Sequence, residues 1–512
     1  MACAATGGGA ALPGLERLRD RAEAFTVELA RARYEALAGL RDAPGLEEVY
    51  GRYPELFEAA AVEEVRTALA SAPAGSEVAR RLAFLEEFLA SGLEEDAGKA
   101  AEERYLRAEG DAVLEVQGES FPFRAARVRL RNSADRARRR AIAEAMAHVD
   151  ASLQPHLREQ IERAHAAAAG LGAPDYVAHR ARLGGFDPDA LLRSAARILE
   201  ETEAAYLDLF DWFARRELGL RRADVAHYDL PFLLRGQRFD AAFERSDLLP
   251  NVRRMLADVR LDPTAGGNVE YDLEPRPRKS ARAFCSAIRV PQEVKLVILP
   301  SGGADDYAAF LHELGHSLHY GYVDPRAPFE FRVLGDNSIT ETYAAAFDRC
   351  LLLPGWLRDV QGMDETREFL LLQWFGELFL LRRYAAKLRY ELALHVHGPR
   401  PEIAERYVEE LARATGVAPA RERYLEDVDP RFYCVAYLQS WALCALLHGA
   451  LRERFDSDWY RNPRTGPWLR GLFARGQRDR PDELAALLGA ATLDVGPLLD
   501  WAREGLEGSR SA

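Results

Sequence analysis

Apolar residues recur at three- and four-residue spacing along most of the chain, as in Leu15, Leu18, Ala22 and Phe25, and again in Leu191, Leu192, Ala195 and Leu199. That period is helical, and the alanine, leucine, arginine and glutamate between these positions are good helix formers. The pattern predicts a mostly α-helical protein. Residues 15–112 read as several helices, and Val113 to Leu130 as a short extended stretch whose Gly118 and Pro122 interrupt the period and suggest a boundary. Asn132-Ser133 offers caps for the next helix, whose opening Ala-Asp-Arg-Ala-Arg-Arg-Arg predicts a solvated arginine face. The period changes after Pro263. Val269-Glu270-Tyr271, Ala281 to Val290 and Val294 to Leu299 are short β-branched and aromatic runs separated by Pro275, Pro277 and Pro291, which predicts a small sheet. Helices resume at Ala304. The longest apolar stretch, Phe369 to Leu381, is broken by Gln373 and Glu377 and reads as a core helix.

Composition narrows the class without naming it. The chain has 512 residues, 48% of them hydrophobic and 29% charged, as expected of a globular protein with a large core. A formal net charge of -13 argues against nucleic acid or an anionic membrane surface as partner, because the mean field would repel either. Five cysteines without a CxxC pair fit a reducing compartment and a cytoplasmic location. Cys350, Cys434 and Cys444 lie in apolar surroundings and read as small core residues. The first residues lack a basic and then apolar leader and read as a tail over 1–14.

Candidate chemistry gathers in one place. His312-Glu313-Leu314-Gly315-His316 falls inside the predicted helix Ala304 to Tyr320. Residues four apart share a helix face, so both imidazoles can close on one small cation, while Leu311, Leu314 and Leu318 supply the opposite, core-facing stripe. Zinc suits such a pair because it accepts neutral imidazole nitrogen at about 2.0–2.1 Å in a tetrahedral site. Glu313 is placed to reach a water on the metal without ligating it. A third ligand is still required. Glu341 follows His316 by 25 positions, far enough for a turn and a second helix packed across the first. On spacing alone Glu341 is equally the last residue of an S-x-x-E capping box begun by Ser338.

From Arg278 to Asp348 the sequence resembles the catalytic core of the thimet oligopeptidase and oligoendopeptidase F family of zinc metallopeptidases. The resemblance rests on Arg-Ala-Phe-Cys at 282–285, the run Val294 to Leu299, the Gly302-Gly303 turn, Asp306, His-Glu-Leu-Gly-His-Ser-Leu-His at 312–319, and the helix bearing Glu341. Further on, Arg-Phe-Tyr-Cys-Val-Ala-Tyr-Leu-Gln-Ser-Trp at 431–441 resembles the family's tyrosine-rich substrate segment, and Gly476, Pro481-Asp482-Glu483-Leu484 and Gly489 resemble its C-terminal tail. One departure stands out: 421–431 holds no histidine, where family members usually place one for the substrate or transition state.

The resemblance implies a helical, bowl- or clam-shaped zincin-type fold with a small sheet at the cleft. It implies one zinc per chain on His312, His316 and Glu341, with Glu313 as general base. Short unfolded peptides would be the substrates, cut by a metal-activated water. Tyr437 and Tyr433 become candidate oxyanion donors, Tyr437 the favoured one. Asp348 either orients a ligand imidazole or is a solvated charge beside Arg349. The strand of Val294, Lys295, Leu296, Val297, Ile298 and Leu299 is expected to pair with the peptide backbone, and His319 to line the pocket. The implied organisation is a helical region at 15–118 and a catalytic domain at 119–500, with a zinc core at 268–350 and substrate-binding helices at 420–500, then a tail at 501–512. A zinc carboxypeptidase of the related helical class and an inactive peptide-binding relative are the alternatives.

Overall fold

The computed structural model describes residues 13–280 and 282–511. Helix accounts for 71% of it and strand for 5%, so the mostly helical class read from the apolar period is the observed one. The expected tail at 1–14 lies outside the described residues up to residue 12, and Pro13 already opens the helix Pro13–Leu37. Within the expected tail at 501–512, residues 501–511 are instead helical. Gly496–Ser511 buries Ala502 and Leu506, and Trp501 meets Trp374 edge to face at 5.6 Å. Its apolar stripe covers the core helix Arg367–His397, which contains the predicted Phe369 to Leu381 run.

The break at 113–130 is a two-stranded hairpin, with β1 (Val113–Val116) antiparallel to β2 (Glu119–Pro122). Gln117 and Gly118 both take positive φ, 52° and 81°, as a two-residue turn between right-twisted strands requires. The hairpin and the short helix Ala126–Asn132 that follows it join two 35-residue helices, Glu77–Asp111 and Arg136–Gly170. The second is capped by Asp135, whose carboxylate accepts from Ala137 N, rather than by Asn132 or Ser133. Its arginines are not all solvated, as the charge run suggested: Arg139 is buried and donates to the buried Asp229 at 2.8 Å, while Arg140 stays exposed.

The second sheet has the order β3-β5-β4, built from β3 (Val269–Asp272), β4 (Phe284–Arg289) and β5 (Glu293–Val297). β5 is central, parallel to β3 and antiparallel to β4. One face of this sheet packs on the helix Ala304–Gly321 through Leu296 and Phe310, in the largest core cluster. Lys279 anchors the loop between β3 and β4. Its ammonium is fully buried and donates to Asp272 Oδ1 and to the carbonyls of Asp272, Glu274 and Ile298. Burying that charge without these acceptors would be strongly unfavourable.

Among the described residues one helix, spanning Pro430–Phe455, is long and apolar enough to cross a membrane, but 67% of its apolar window is buried inside the molecule. Its apolar surface is explained by core packing.

Candidate metal centre

Two helices cross to build the site. Ala304–Gly321 carries His312, Glu313 and His316; Asn337–Asp348 carries Thr340, Glu341 and Asp348. Gly315 sits at the crossing. A Cβ there would lie 2.5 Å from Ala344 Cα and 2.5 Å from Tyr343 O, so no larger residue permits this approach without moving a backbone. The glycine inside the histidine motif thus sets how close Glu341 comes to the two imidazoles.

The imidazoles are held by their far nitrogens. His312 Nδ1 meets Asp348 Oδ2 at 2.8 Å, and His316 Nδ1 meets Thr340 Oγ1 at 2.8 Å. Glu341 Oε2 is 3.5 Å from His312 Nε2 and 3.8 Å from His316 Nε2, and each imidazole, once neutral with its proton on Nδ1, would present an Nε2 lone pair toward the same point. In an ideal tetrahedral site with bonds of about 2.0–2.1 Å the ligand atoms lie about 3.3–3.4 Å apart, so these gaps fit a first-row divalent ion with a shift of a few tenths of an ångström. His312, His316 and Glu341 can therefore hold a metal ion. Imidazole and carboxylate donors suit several such metals, so the donor set does not choose among them.

Charge at the site follows from burial and pairing. Burial works against a charged His312, but Asp348 and Glu341 outweigh it and raise its pKa to about 10. His316 lacks such a partner, and burial lowers it to about 4, so it is neutral at physiological pH. Burial also works against the Glu341 carboxylate, but the two histidines and a tyrosine hydroxyl bring it below the usual range. Glu313 lies outside the ligand group. Burial pushes its pKa up, opposed by His312 and by a hydrogen bond from the Cys285 backbone on β4.

The two readings of Ser338 to Glu341 now separate. The helix is capped by Asp336, whose Oδ1 accepts from Ser338 N at 2.8 Å, and Ser338 Oγ is buried with no hydrogen-bond partner. Glu341 therefore closes no capping box. Asp348 is likewise no solvated charge beside Arg349, because Arg349 turns away to Glu377 at 2.7 Å.

The tyrosines divide. Tyr433 donates to Glu341 Oε1 at 2.7 Å, whereas the Tyr437 hydroxyl has no hydrogen-bond partner among the described residues. The Tyr437 ring is held edge to face by Tyr433 at 5.1 Å and Tyr384 at 5.4 Å. Of the two, Tyr433 is the one in direct contact with the ligand group. Immediately before it, Arg431 and Phe432 both take the left-handed region, each at φ 58°. That conformation costs about 1–2 kcal/mol per L-residue, and it turns the chain sharply into the helix Tyr433–Phe455.

Two expected substrate contacts are not placed for that role. His319 is fully buried against Tyr320, Tyr343 and Phe473, and its ring nitrogens have no hydrogen-bond partner. One turn beyond His316 the same helix face runs under these aromatics instead of opening to the site. The run Val294 to Leu299 fails as a docking strand for another reason. Val294, Lys295, Leu296 and Val297 lie on β5, whose two edges are taken by β3 and β4, while Ile298 and Leu299 lie beyond the strand. The unpaired edge next to Glu313 belongs to β4.

Thr340 and the crossing role of Gly315 were not anticipated. Thr340 was findable, since the second nitrogen of any ligand histidine needs a partner and Thr340 adjoins Glu341. Gly315 was not, because its neighbours are 28 or more positions away. A second group of donors, Glu391, Asp429 and Cys434, also comes together. There the ammonium of Lys387 already sits 2.8 Å from Asp429 and 3.7 Å from Glu391, filling the place of a cation.

Fold and site together define a mostly helical protein with a His/His/Glu group able to hold a metal ion. No protein-family model matches the chain, and no curated protein matches it in sequence.

Proposed function

We propose that the chain is a zinc-dependent peptidase of the thimet oligopeptidase and oligoendopeptidase F kind, acting on short unfolded peptides in the cytoplasm. The observation that carries this reading is the convergence of both Nε2 atoms and Glu341 on one point, with the Glu313 carboxyl adjacent but outside the ligand group. A purely structural metal site would have no use for that carboxyl. The cleft shape and one zinc per chain belong to the same reading.

When bound, zinc supplies Lewis acidity for the scissile carbonyl and lowers the pKa of the attacking water. Glu313 takes the water's proton and delivers it to the departing amine; burial raises its proton affinity toward the range that work needs. Asp348 and Thr340 keep the two imidazoles oriented. A tyrosine hydroxyl, from Tyr437 or from Tyr433 released by Glu341, donates to the carbonyl oxygen as charge develops there. The peptide lies along the open edge of β4, which runs past Glu313 and replaces the inaccessible β5 as the strand partner.

Cleavage of internally quenched peptides, with and without a chelator, tests the reading. Glu313→Gln should keep its metal and lower turnover by roughly 10²–10⁴-fold. Cleavage of C-terminally blocked peptides distinguishes endopeptidase from carboxypeptidase action. Undiminished cleavage by metal-free protein would overturn the proposal, and peptide binding without any cleavage would favour an inactive relative.

A further inference from the structure

A cleft of about 290 Å³ adjoins the metal centre, with Tyr433 in its wall. The Tyr433 hydroxyl bonds Glu341, so the cleft begins one tyrosine side chain from the ligand group. A peptide spanning about 3.3–3.6 Å per residue crosses that distance in two or three residues.

The charges lining this cleft do not balance. Four guanidinium groups, from Arg33, Arg180, Arg431 and Arg480, face three carboxylates, from Glu87, Glu95 and Asp336. Each carboxylate is already engaged. Glu87 pairs with Arg180 at 3.5 Å, Glu95 with Arg431, and Asp336 caps its helix and lies 3.9 Å from Arg480. Arg33 is exposed and in no ion pair among the described residues, with Glu95 and Glu102 acting on it only at longer range. Arg180 is only 4% exposed; its terminal nitrogens also reach Ser91 at 3.1 Å and Glu94 at 3.4 Å, and only its Nε has no hydrogen-bond partner. This surplus of positive charge sits in a chain whose formal net charge is -13. The walls include Phe25, Phe88 and Phe186, whose low polarity strengthens a charge pair formed between them.

We propose that this cleft is a carboxylate subsite: it takes one anionic group of the substrate, an Asp or Glu side chain or a free C-terminal carboxylate, within two or three residues of the bond cut. This rests on the peptidase reading and specifies its substrate class. Arg33 supplies the one charge that no close ion pair holds, and Arg180 and Arg431 are its neighbours in the same wall.

The test is a set of quenched Ala/Gln nonapeptides in which one Glu replaces Gln at each position in turn, each made as free acid and as C-terminal amide. One Glu position, or the free acid, should raise kcat/KM about tenfold over its neutral counterpart, chiefly through KM, as expected for charge-assisted hydrogen bonds. A Glu effect that survives amidation identifies a side-chain carboxylate as the ligand, and an effect confined to the free acids identifies the terminal one. Arg33→Gln should bring the charged-to-neutral ratio close to one. The same peptides are also bound to zinc-loaded Glu313→Gln protein and followed by fluorescence anisotropy, which does not depend on turnover. Cleavage with equal rates across the set would overturn the subsite and leave the peptidase standing. Preferential binding of the anionic peptides without cleavage by the wild type would support the subsite and remove the hydrolysis. A preference unchanged in Arg33→Gln would overturn its assignment to this cleft.

Discussion

Replacing Asp348 tests whether the metal centre depends on the orientation of His312. Asp348 Oδ2 receives His312 Nδ1 at 2.8 Å, and a quarter of its side chain is exposed. Asp348→Ala removes both the hydrogen bond and the charge that keeps the proton on Nδ1, freeing the imidazole to rotate or change tautomer. A hydrogen bond to a charged group contributes about 1.5–3 kcal/mol, and partial exposure places this one in the lower half of that range. At about 1.4 kcal/mol per tenfold, metal affinity should fall about 10- to 30-fold, within the range typical of groups behind a metal-bound histidine. Asp348→Asn keeps an acceptor at the same place and loses only the charge, about 1 kcal/mol, so its affinity should fall about fivefold. The assay is competition for zinc against a chromophoric chelator at fixed pH, with helical content checked by circular dichroism. An Asp348→Ala protein that binds zinc as tightly as the wild type would refute the reasoning. Asp348→Asn weaker than Asp348→Ala would mean that the carboxylate's position, not its charge, had been misread.

Other consequences follow from the same contacts. Tyr433→Phe loses a 2.7 Å bond to a ligand carboxylate and should weaken zinc binding, whereas Tyr437→Phe should leave it unchanged; kcat measured on both then shows which hydroxyl serves the transition state, with a loss of about 10²–10³-fold for that one. Gly315→Ala forces a Cβ to 2.5 Å from Ala344 Cα, which should cost about 1–3 kcal/mol and lower both the melting temperature and metal affinity; a normal value for both would show that the helices separate freely. Lys279→Met leaves Asp272 buried with only Arg276 and the Tyr34 hydroxyl as partners and should destabilise by about 3–5 kcal/mol, read as a lower melting temperature, and an unchanged melting temperature would contradict the anchoring role given to Lys279. Burial opposes the Asp272 charge, but Lys279 and Arg276 outweigh it and lower its pKa. Its contribution is therefore present above the unfolded carboxylate value of about 3.9 and lost as pH falls through the lower folded value, so the gap in melting temperature between wild type and Asp272→Asn should close on acidification below about pH 4. A gap that stayed constant from pH 5 downward would be inconsistent with that sign.

The sequence by itself determined whatever depends on near neighbours. The 3.6-residue period predicted the helices, and the run of β-branched residues and prolines after Pro263 predicted the small sheet, because both are local consequences of backbone geometry and side-chain shape. It also placed His312 and His316 on one face, since four residues make just over one helical turn. What it left open were relations between distant segments. Whether Glu341 capped its own helix or turned to the histidines depended on Asp336 taking the cap and on Gly315 letting the helices touch. Strand order is a tertiary matter as well: nothing within Val294 to Leu299 reveals that both its edges are covered, or that β4 lies at the edge of the sheet. His319 shows the limit of face arguments, because the helix face that opens on the site at His316 is roofed by Tyr343 and Phe473 one turn later. Residues 501–511 of the expected tail became a helix because their apolar stripe found a partner in Arg367–His397, and burial against that partner stabilises what propensity alone leaves marginal.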